Sequence, residues 1–233
     1  MSITEAILRV REQIEDACVR SGRSGEEVRL CAVSKFHGVS AVEEAYSAGQ
    51  RLFGENRVQE ASGKFAGLKK TRPDIQVHLI GGLQRNKAKA AFSLFDCIQS
   101  IDRDALIDEL GKLAGVERAK CARRAILLEM HTAEASKSGF SDADALCRAA
   151  EKALVYPGLA LSGLMTMAPF TNDEKVIRRA FRAVVSARNM LEARFPGHWH
   201  CLSMGMSNDF EIAIEEGATL IRIGTAIFGE RNV

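Results

Sequence analysis

The chain has 233 residues, of which 46% are hydrophobic and 27% charged, enough for one large core under a charged surface. Its formal charge of +2 excludes a strong global basic field, so we expect no nucleic-acid partner and any bound anion must be held by local charge. No apolar run reaches the length of a membrane span, and the N-terminus has no signal-peptide core. These features predict a cytoplasmic protein without membrane contact.

Predicted strands and helices alternate along the chain. An amphipathic helix is predicted first, over residues 3–21. Strands are then predicted near 29–34, 51–54, 76–80, 96–100, 124–130, 159–164, 199–202 and 219–223. Helices are predicted between them near 40–48, 57–68, 84–92, 103–114, 141–153, 173–195 and 207–216. A short final segment, 226–231, follows the last strand.

This alternation predicts an α/β fold with a parallel sheet. A single (β/α)8 barrel of the TIM type, with one extra N-terminal helix, is the preferred arrangement, and an open doubly wound sheet is the alternative. The four prolines are scattered and no low-complexity linker divides the chain, so we expect one domain over residues 1–233. The six cysteines include no CxxC pair, which predicts reduced and mostly buried thiols.

In a barrel, functional residues are expected where strands end at the carboxyl face. Lys35 directly follows the first predicted strand and ends the run Leu30-Cys31-Ala32-Val33-Ser34-Lys35. Burial of an ammonium group there lowers its pKa and yields a nucleophilic amine, which Schiff-base chemistry needs. The alternative is a lysine that merely extends from the barrel mouth into solvent.

The last predicted strand contains one charged residue, Arg222, among apolar neighbours. Strands one and eight are neighbours in a closed barrel, so Arg222 is expected close to Lys35, where it would depress the pKa of the amine. The alternative is an arginine that pairs with a glutamate at the mouth.

Two loops carry the features of a phosphate site. Ser207 and Asn208 follow the seventh strand, and Gly224 and Thr225 follow the eighth, each before a predicted helical segment. Backbone N–H groups at such positions bind phosphate, and loops seven and eight do so in many barrels. The alternative is ordinary helix capping by Ser207 or Asn208.

Two further loops contain candidate residues. Asn56, after the second strand, either reaches a ligand or caps the helix that begins near Arg57, and the sequence leaves both open. The pair Gly81 and Gly82, after the third strand, indicates a close approach of two backbones.

Taken together, these segments resemble the YggS/PROSC family of pyridoxal phosphate homeostasis proteins. The resemblance runs in order from residue 32 to residue 229, and its joint specificity is high although each piece alone is weak. The matching segments are Ala32-Val33-Ser34-Lys35, 53–60, His78-Leu79-Ile80-Gly81 with Leu83-Gln84, Ser136-Lys137-Ser138-Gly139-Phe140, Gly163-Leu164-Met165-Thr166-Met167, Leu202-Ser203-Met204-Gly205-Met206-Ser207 and 222–229.

The resemblance implies a barrel of the fold type III class, related to the N-terminal domain of alanine racemase. It implies pyridoxal 5′-phosphate (PLP) as a Schiff base on Lys35, with Asn56 also at the cofactor site. It further implies Arg222 near the pyridine nitrogen and phosphate contacts from Ser207, Gly224 and Thr225. Such proteins act as carriers or regulators in vitamin B6 homeostasis, and PLP-requiring apo-enzymes are the implied recipients.

The sequence departs from the family pattern beside the lysine. Phe36, His37 and Gly38 stand where the family more often has a threonine and a proline, and Gly82 replaces a bulkier residue. These differences are expected to alter the mouth of the site and not the lysine linkage.

A carrier is predicted in preference to an enzyme. An arginine beside the pyridine nitrogen disfavours its protonation and weakens the electron sink that carbanion chemistry needs. Racemases of this fold also need a second acid/base, which a second domain and a partner subunit complete, whereas this sequence ends at Val233 after the eighth unit. The only tyrosines, Tyr46 and Tyr156, are expected to serve packing.

The same features predict a monomer, because the usual racemase dimer surface is absent. Two alternatives remain open. One is a small PLP-dependent racemase or lyase that uses Lys35 as its base. The other is a sugar-phosphate enzyme on the same barrel that has no PLP.

Overall fold

The computed structural model describes residues 1–117, 123–132 and 138–230, and its eight strands form one closed parallel barrel. The strands are β1 (Arg29–Val33), β2 (Leu52–Glu55), β3 (Gln76–Leu79), β4 (Cys97–Ile101), β5 (Arg124–Glu129), β6 (Leu159–Met165), β7 (Cys201–Ser203) and β8 (Leu220–Ile223). Because β8 pairs with β1, the barrel prediction is confirmed and the open-sheet alternative is wrong.

Helices surround this barrel. They are α1 (Ile3–Arg20), α2 (Val39–Ser47), α3 (Val58–Thr71), α4 (Ala88–Leu94), α5 (Asp104–Glu117), α6 (Ala143–Leu154), α7 (Glu174–Arg194), α8 (Phe210–Glu215) and α9 (Thr225–Phe228). None of those in the described ranges is both long and apolar enough to cross a membrane.

The strands divide their side chains between two apolar layers, as the alternation of a β-strand requires. Outward-facing residues such as Ala32, Phe53 and Ile98 belong to the main core between barrel and helices. Inward-facing residues form smaller clusters inside the barrel: Cys31, Leu52 and Leu220 in one, and Cys97, Leu127 and Met165 in the other. The barrel is therefore filled with side chains, and only its ends can hold a ligand.

The cysteine prediction is confirmed for the described part of the chain. Cys18, Cys31, Cys97 and Cys147 are free and buried, and Cys201 is free and half-buried. Burial raises the pKa of the Cys31 thiol to about 12 and that of the Cys201 thiol to about 11, so both stay protonated and inert. Cys121 lies outside the described residues.

The extra helix α1 covers the junction at which the barrel closes. Its buried residues recur at helical spacing, from Ala6 and Ile7 to Val10, Ile14 and Ala17. It packs against α2, α8 and α9, the helices that flank the β1–β8 junction.

The helix begins with a capping box. The Ser2 hydroxyl accepts the Glu5 N–H at 3.2 Å, and the Glu5 carboxylate accepts the Ser2 N–H at 2.8 Å. These two bonds fix the start of α1 and so the position of its buried face.

Several predicted boundaries differ from the structure by a few residues, and two of the differences have a clear structural form. The seventh strand was expected at 199–202 but is Cys201–Ser203, because Trp199 packs in the core and donates its indole N–H to the Phe195 carbonyl at 2.8 Å. The helix expected at 84–92 begins as a 3-10 turn, Arg85–Lys87, and becomes α4 only at Ala88.

Strand β6 contains a bulge at Gly163. Leu161 pairs with Ile126 and Gly163 with Leu127, so one extra residue, Ser162, stands in β6. Gly163 has φ +151°, and a Cβ added there would lie 1.8 Å from the Cys201 carbonyl oxygen of β7. Only glycine can therefore occupy this position of the barrel.

We predict that Gly163→Ala lowers the free energy of unfolding by more than about 2 kcal/mol, because the methyl group collides with the β7 backbone. Urea unfolding followed by circular dichroism measures this loss. Gly82→Ala is the matched control, since no heavy atom lies within 4 Å of the added Cβ. Equal losses in the two variants would contradict the assignment of the bulge.

Candidate functional site

The residues singled out in the sequence meet at the carboxyl end of the barrel. Lys35 follows β1, Asn56 follows β2 and Ser207 follows β7, while Arg222 lies within β8 and Gly224 and Thr225 follow it. The last turn lies beside the first strand, because a Cβ added at Gly224 would be 3.5 Å from the Val33 carbonyl oxygen. The strand register pairs Arg222 with Cys31, four residues before Lys35, so the expected closeness of Lys35 and Arg222 stays a prediction.

Lys35 lies in a turn and not in the strand itself. β1 ends at Val33, and the Ser34 carbonyl accepts the His37 N–H at 3.1 Å to close the turn. Phe36 has φ +68° and is the one non-glycine residue with a positive φ in the described ranges. This combination matches a type II turn with Phe36 at the position that glycine or asparagine usually occupies.

Arg222 points across the barrel interior. It is 4% exposed, and its Nη1 donates to the Ser203 carbonyl and hydroxyl while Nη2 donates to the Thr166 carbonyl, each at 2.7 Å. Burial lowers the pKa of the guanidinium, and its hydrogen-bond partners are neutral. No carboxylate of the described residues forms an ion pair with it, and Glu134, in the loop after β5, lies outside those residues.

A hydrogen-bonded chain continues from Arg222 to the opposite side of the barrel. Arginine can only donate, so the Ser203 hydroxyl donates its proton onward to Gln99 Oε1 at 2.6 Å. The Gln99 amide nitrogen is 2.8 Å from His78 Nδ1, which therefore accepts. Burial lowers the pKa of His78 to about 3, so this histidine is neutral. The chain fixes the guanidinium rigidly below the barrel mouth.

The sequence reasoning missed Glu129. It ends β5, the strand opposite β1 in the ring, and the alternation that turns Leu127 inward also turns Glu129 inward. Its carboxylate accepts the Ser138 hydroxyl at 2.9 Å, and burial raises its pKa. The signal was present, because Glu129 ends an apolar run as Lys35 does.

The loops after β7 and β8 present unpaired backbone donors. Within the described part of the chain, the N–H groups of Ser207, Asn208, Gly224 and Thr225 have no hydrogen-bond acceptor. The N-cap of α8 is Asp209, whose carboxylate accepts the Met206 N–H at 2.6 Å. Capping by Ser207 or Asn208 is therefore wrong.

The β2 and β3 loops touch where two glycines were noted. A Cβ at Gly81 would lie 2.5 Å from the Asn56 carbonyl oxygen, which confirms the predicted close approach there, whereas Gly82 is open. Asn56 is half-buried and does not cap α3, whose N-cap is Arg57. Its capping alternative is wrong, and its side chain remains a candidate contact at the mouth.

The opposite end of the barrel also has a cleft, of about 470 Å³. Its arginines already donate to neighbouring groups: Arg11 to the Gly49 carbonyl, Arg29 to Gln76 and Arg51 to Asp74. Polar groups at this end of a barrel usually serve stability, so the candidate site is the mouth at the carboxyl end.

Comparison with known proteins agrees with this geometry. Residues 11–232 match the alanine racemase N-terminal domain, and the chain belongs to that family. It is 37% identical to the "Pyridoxal phosphate homeostasis protein" of Aquifex aeolicus, covering 100% of both chains. It is 39% identical to the protein of the same name in Escherichia coli K12, covering 99% of this chain and 97% of the relative.

Solved structures give the same result. PipY of Synechococcus elongatus PCC7942, solved with PLP bound, is 35% identical with a TM-score of 0.85, covering 98% of this chain and 100% of PipY. Alanine racemase of Clostridium difficile 630 shares the fold at 10% identity and a TM-score of 0.75, over 97% of this chain and 57% of the racemase. Ser136 and Lys137, part of the resemblance in sequence, lie outside the described residues.

The neutral state of His78 predicts a pH dependence of stability. The unfolded chain binds a proton near pH 6.5 and the folded chain only near pH 3, so stability falls as the pH drops through this window. The loss amounts to a few kcal/mol, on the order of 1.4 kcal/mol for each unit of pKa difference. Unfolding free energies at pH 7 and pH 4.5 measure it.

His78→Asn is the matched variant, because the amide oxygen keeps an acceptor for Gln99 without a titratable group. Its stability should fall less between the two pH values than that of the unaltered protein. An equal fall in both proteins would contradict a neutral, buried His78.

Proposed function

We propose that this chain is a pyridoxal phosphate homeostasis protein, which binds PLP as a Schiff base on Lys35 and acts as a carrier or regulator of the cofactor. The observation that carries the proposal is the position of the Lys35 turn beside two loops that present unpaired backbone donors. The relatives of the same name and PLP-bound PipY support it.

The proposed linkage is a simple condensation. Lys35 would hold the cofactor through a C=N bond between its amine nitrogen and the aldehyde carbon of PLP, with the aldehyde oxygen lost as water. When bound, PLP supplies an aldehyde carbon that other amines can capture from the lysine.

The residues at the mouth fit the remainder of the cofactor. A phosphate group would accept the free N–H groups of Ser207, Gly224 and Thr225. Arg222 offers only donors and is held by neutral acceptors, so it suits an unprotonated pyridine nitrogen. Asn56 is assigned to a polar contact at the rim of the site.

We assign residues 1–233 to one PLP-binding domain that is monomeric and cytoplasmic, without nucleic-acid or membrane partners. Apo-enzymes that require PLP are the proposed recipients. Exposed apolar side chains around the mouth support a docking role: Phe36 after β1, Met167 and Phe170 after β6, and Met206 after β7. Phe170 is 99% exposed, and several apolar side chains at one end of the barrel are typical of an interaction surface.

A second candidate function is a small racemase or lyase, and Glu129 favours it. This carboxyl group is a candidate acid/base on the side of the mouth opposite Lys35. Its raised pKa suits proton transfer. The sugar-phosphate enzyme without PLP has no comparable support.

Reduction of the PLP-treated protein with borohydride tests the proposal. We predict one pyridoxyl adduct on Lys35 by peptide mass spectrometry, no adduct in Lys35→Ala, and an unchanged adduct in Lys87→Ala, which alters another lysine near the mouth. An adduct on a different lysine would refute the assignment. Amino-acid turnover that both Lys35→Ala and Glu129→Gln abolish would instead favour the enzyme.

Thr225→Asp tests the phosphate contacts. The first position of a helix tolerates an acid, so the fold is retained, but the new carboxylate repels the phosphate. We predict that the affinity for PLP falls by more than about tenfold and that pyridoxal, which lacks the phosphate, binds as before. Thr225→Asn is the neutral control. Equal losses for the two ligands, measured by absorbance titration, would contradict this binding mode.

A further inference from the structure

A buried group of charged side chains lies under the turn that carries Lys35. Glu55, the last residue of β2, is fully buried, and its Oε1 lies 2.7 Å from Lys64 Nζ on α3. Glu60, one turn earlier on α3, lies 3.3 Å from the same ammonium group. We call these three residues the Lys64 cluster.

Hydrogen bonds from the cluster converge on the residues that flank Lys35. Lys64 Nζ donates to the Ser34 carbonyl at 2.7 Å, and the Ser34 hydroxyl donates to Glu55 Oε1 at 2.7 Å. On the other side of Lys35, Glu60 Oε1 accepts the Phe36 N–H at 2.5 Å. Both peptide groups around the lysine are therefore held from β2 and α3.

The cluster is an expensive way to stabilise a fold. Removal of two charges from water offsets most of the attraction between them, so a buried ion pair contributes little net stability compared with apolar residues. Glu55 Oε2 is also buried without a partner among the described residues, which adds to the cost. The cluster does, however, form hydrogen bonds to the residues on either side of Lys35, and these bonds fix the turn.

The turn needs such support because its backbone is strained. Phe36 has φ +68°, a conformation that costs an L-residue on the order of 1–2 kcal/mol. Its side chain is 52% exposed, so packing alone does not hold it there. A strained backbone conformation persists where surrounding contacts hold it in place. The hydrogen bond from the Phe36 N–H to Glu60 is such a contact.

We propose that Glu55, Glu60 and Lys64 are positioning residues for Lys35, which fix the direction in which its amine enters the barrel mouth. The inference rests on the proposed function and adds the residues that orient Lys35 within that site. The amine must approach the aldehyde while the phosphate is held by the loops after β7 and β8. A small rotation of the turn moves the amine out of reach without altering those loops.

Glu60 is the residue to change, because it is half-buried and its loss leaves the Glu55–Lys64 pair intact. Glu60→Ala removes the acceptor of the Phe36 N–H, whereas Glu60→Gln keeps an oxygen there. Gln59→Ala, an exposed position on the same helix, is the matched control. Dissociation constants for PLP and for pyridoxine 5′-phosphate, which has the ring and phosphate but no aldehyde, separate the two parts of the site.

We expect Glu60→Ala to weaken PLP binding about tenfold while pyridoxine 5′-phosphate binds as before. Glu60→Gln and Gln59→Ala should bind both ligands like the unaltered protein. Unchanged PLP binding in Glu60→Ala overturns the inference, and equal weakening of both ligands assigns Glu60 a general structural role instead. Failure of the proposed function is distinct from both, since the unaltered protein would then form no borohydride-stable adduct on Lys35.

Discussion

The parallel pairing of β1 with β8 is the constraint on which the site depends. Its register sets Cys31 opposite Arg222 and Ala32 opposite Ile223. Residues almost two hundred positions apart thereby meet, and the turn that carries Lys35 comes to lie beside Gly224. The helix α1 protects this pairing, because it packs against helices on both sides of the junction.

Two buried cationic side chains, Lys64 and Arg222, lie near this junction, and their hydrogen-bond partners differ in charge. The Lys64 ammonium group forms ion pairs with the carboxylates of Glu55 and Glu60 beneath the Lys35 turn. Arg222 keeps its charge among neutral acceptors, which leaves it able to interact with an electron-rich ring nitrogen. The two cations thus differ in their partners, which are carboxylates for Lys64 and neutral oxygens for Arg222.

This difference also explains why the barrel interior is polar near its mouth. The guanidinium needs acceptors, Ser203 supplies them, and Gln99 and neutral His78 complete the chain of hydrogen bonds. Below this layer the interior is apolar and filled with cysteine and aliphatic side chains. The polar layer therefore forms the bottom of the barrel mouth, and a ligand there would contact side chains held by hydrogen bonds.

The sequence predicted most of the fold because alternation with period two identifies strands, and the strict order of strands and helices identifies a parallel barrel. It also identified Lys35 and Arg222 as candidate site residues, since a lone charge at the end of or inside an apolar strand is informative. The same pattern is present at Glu129, which ends the apolar strand β5.

Other parts of the site could not be predicted from local patterns. Three polar residues precede α8, and the sequence did not show that Asp209, and not Ser207 or Asn208, is its N-cap. The bonds from Glu55 and Lys64 to Ser34 join three separate elements, so they depend on tertiary packing. The strain at Phe36 is likewise a property of the folded turn.

The most direct measurement of the central claim is a crystal structure of this protein grown with PLP. We expect continuous density between the Lys35 amine and the C4′ carbon of the cofactor, with the phosphate on the backbone N–H groups of Ser207, Gly224 and Thr225. A cofactor joined to another lysine, or a phosphate held away from these two loops, would contradict the account.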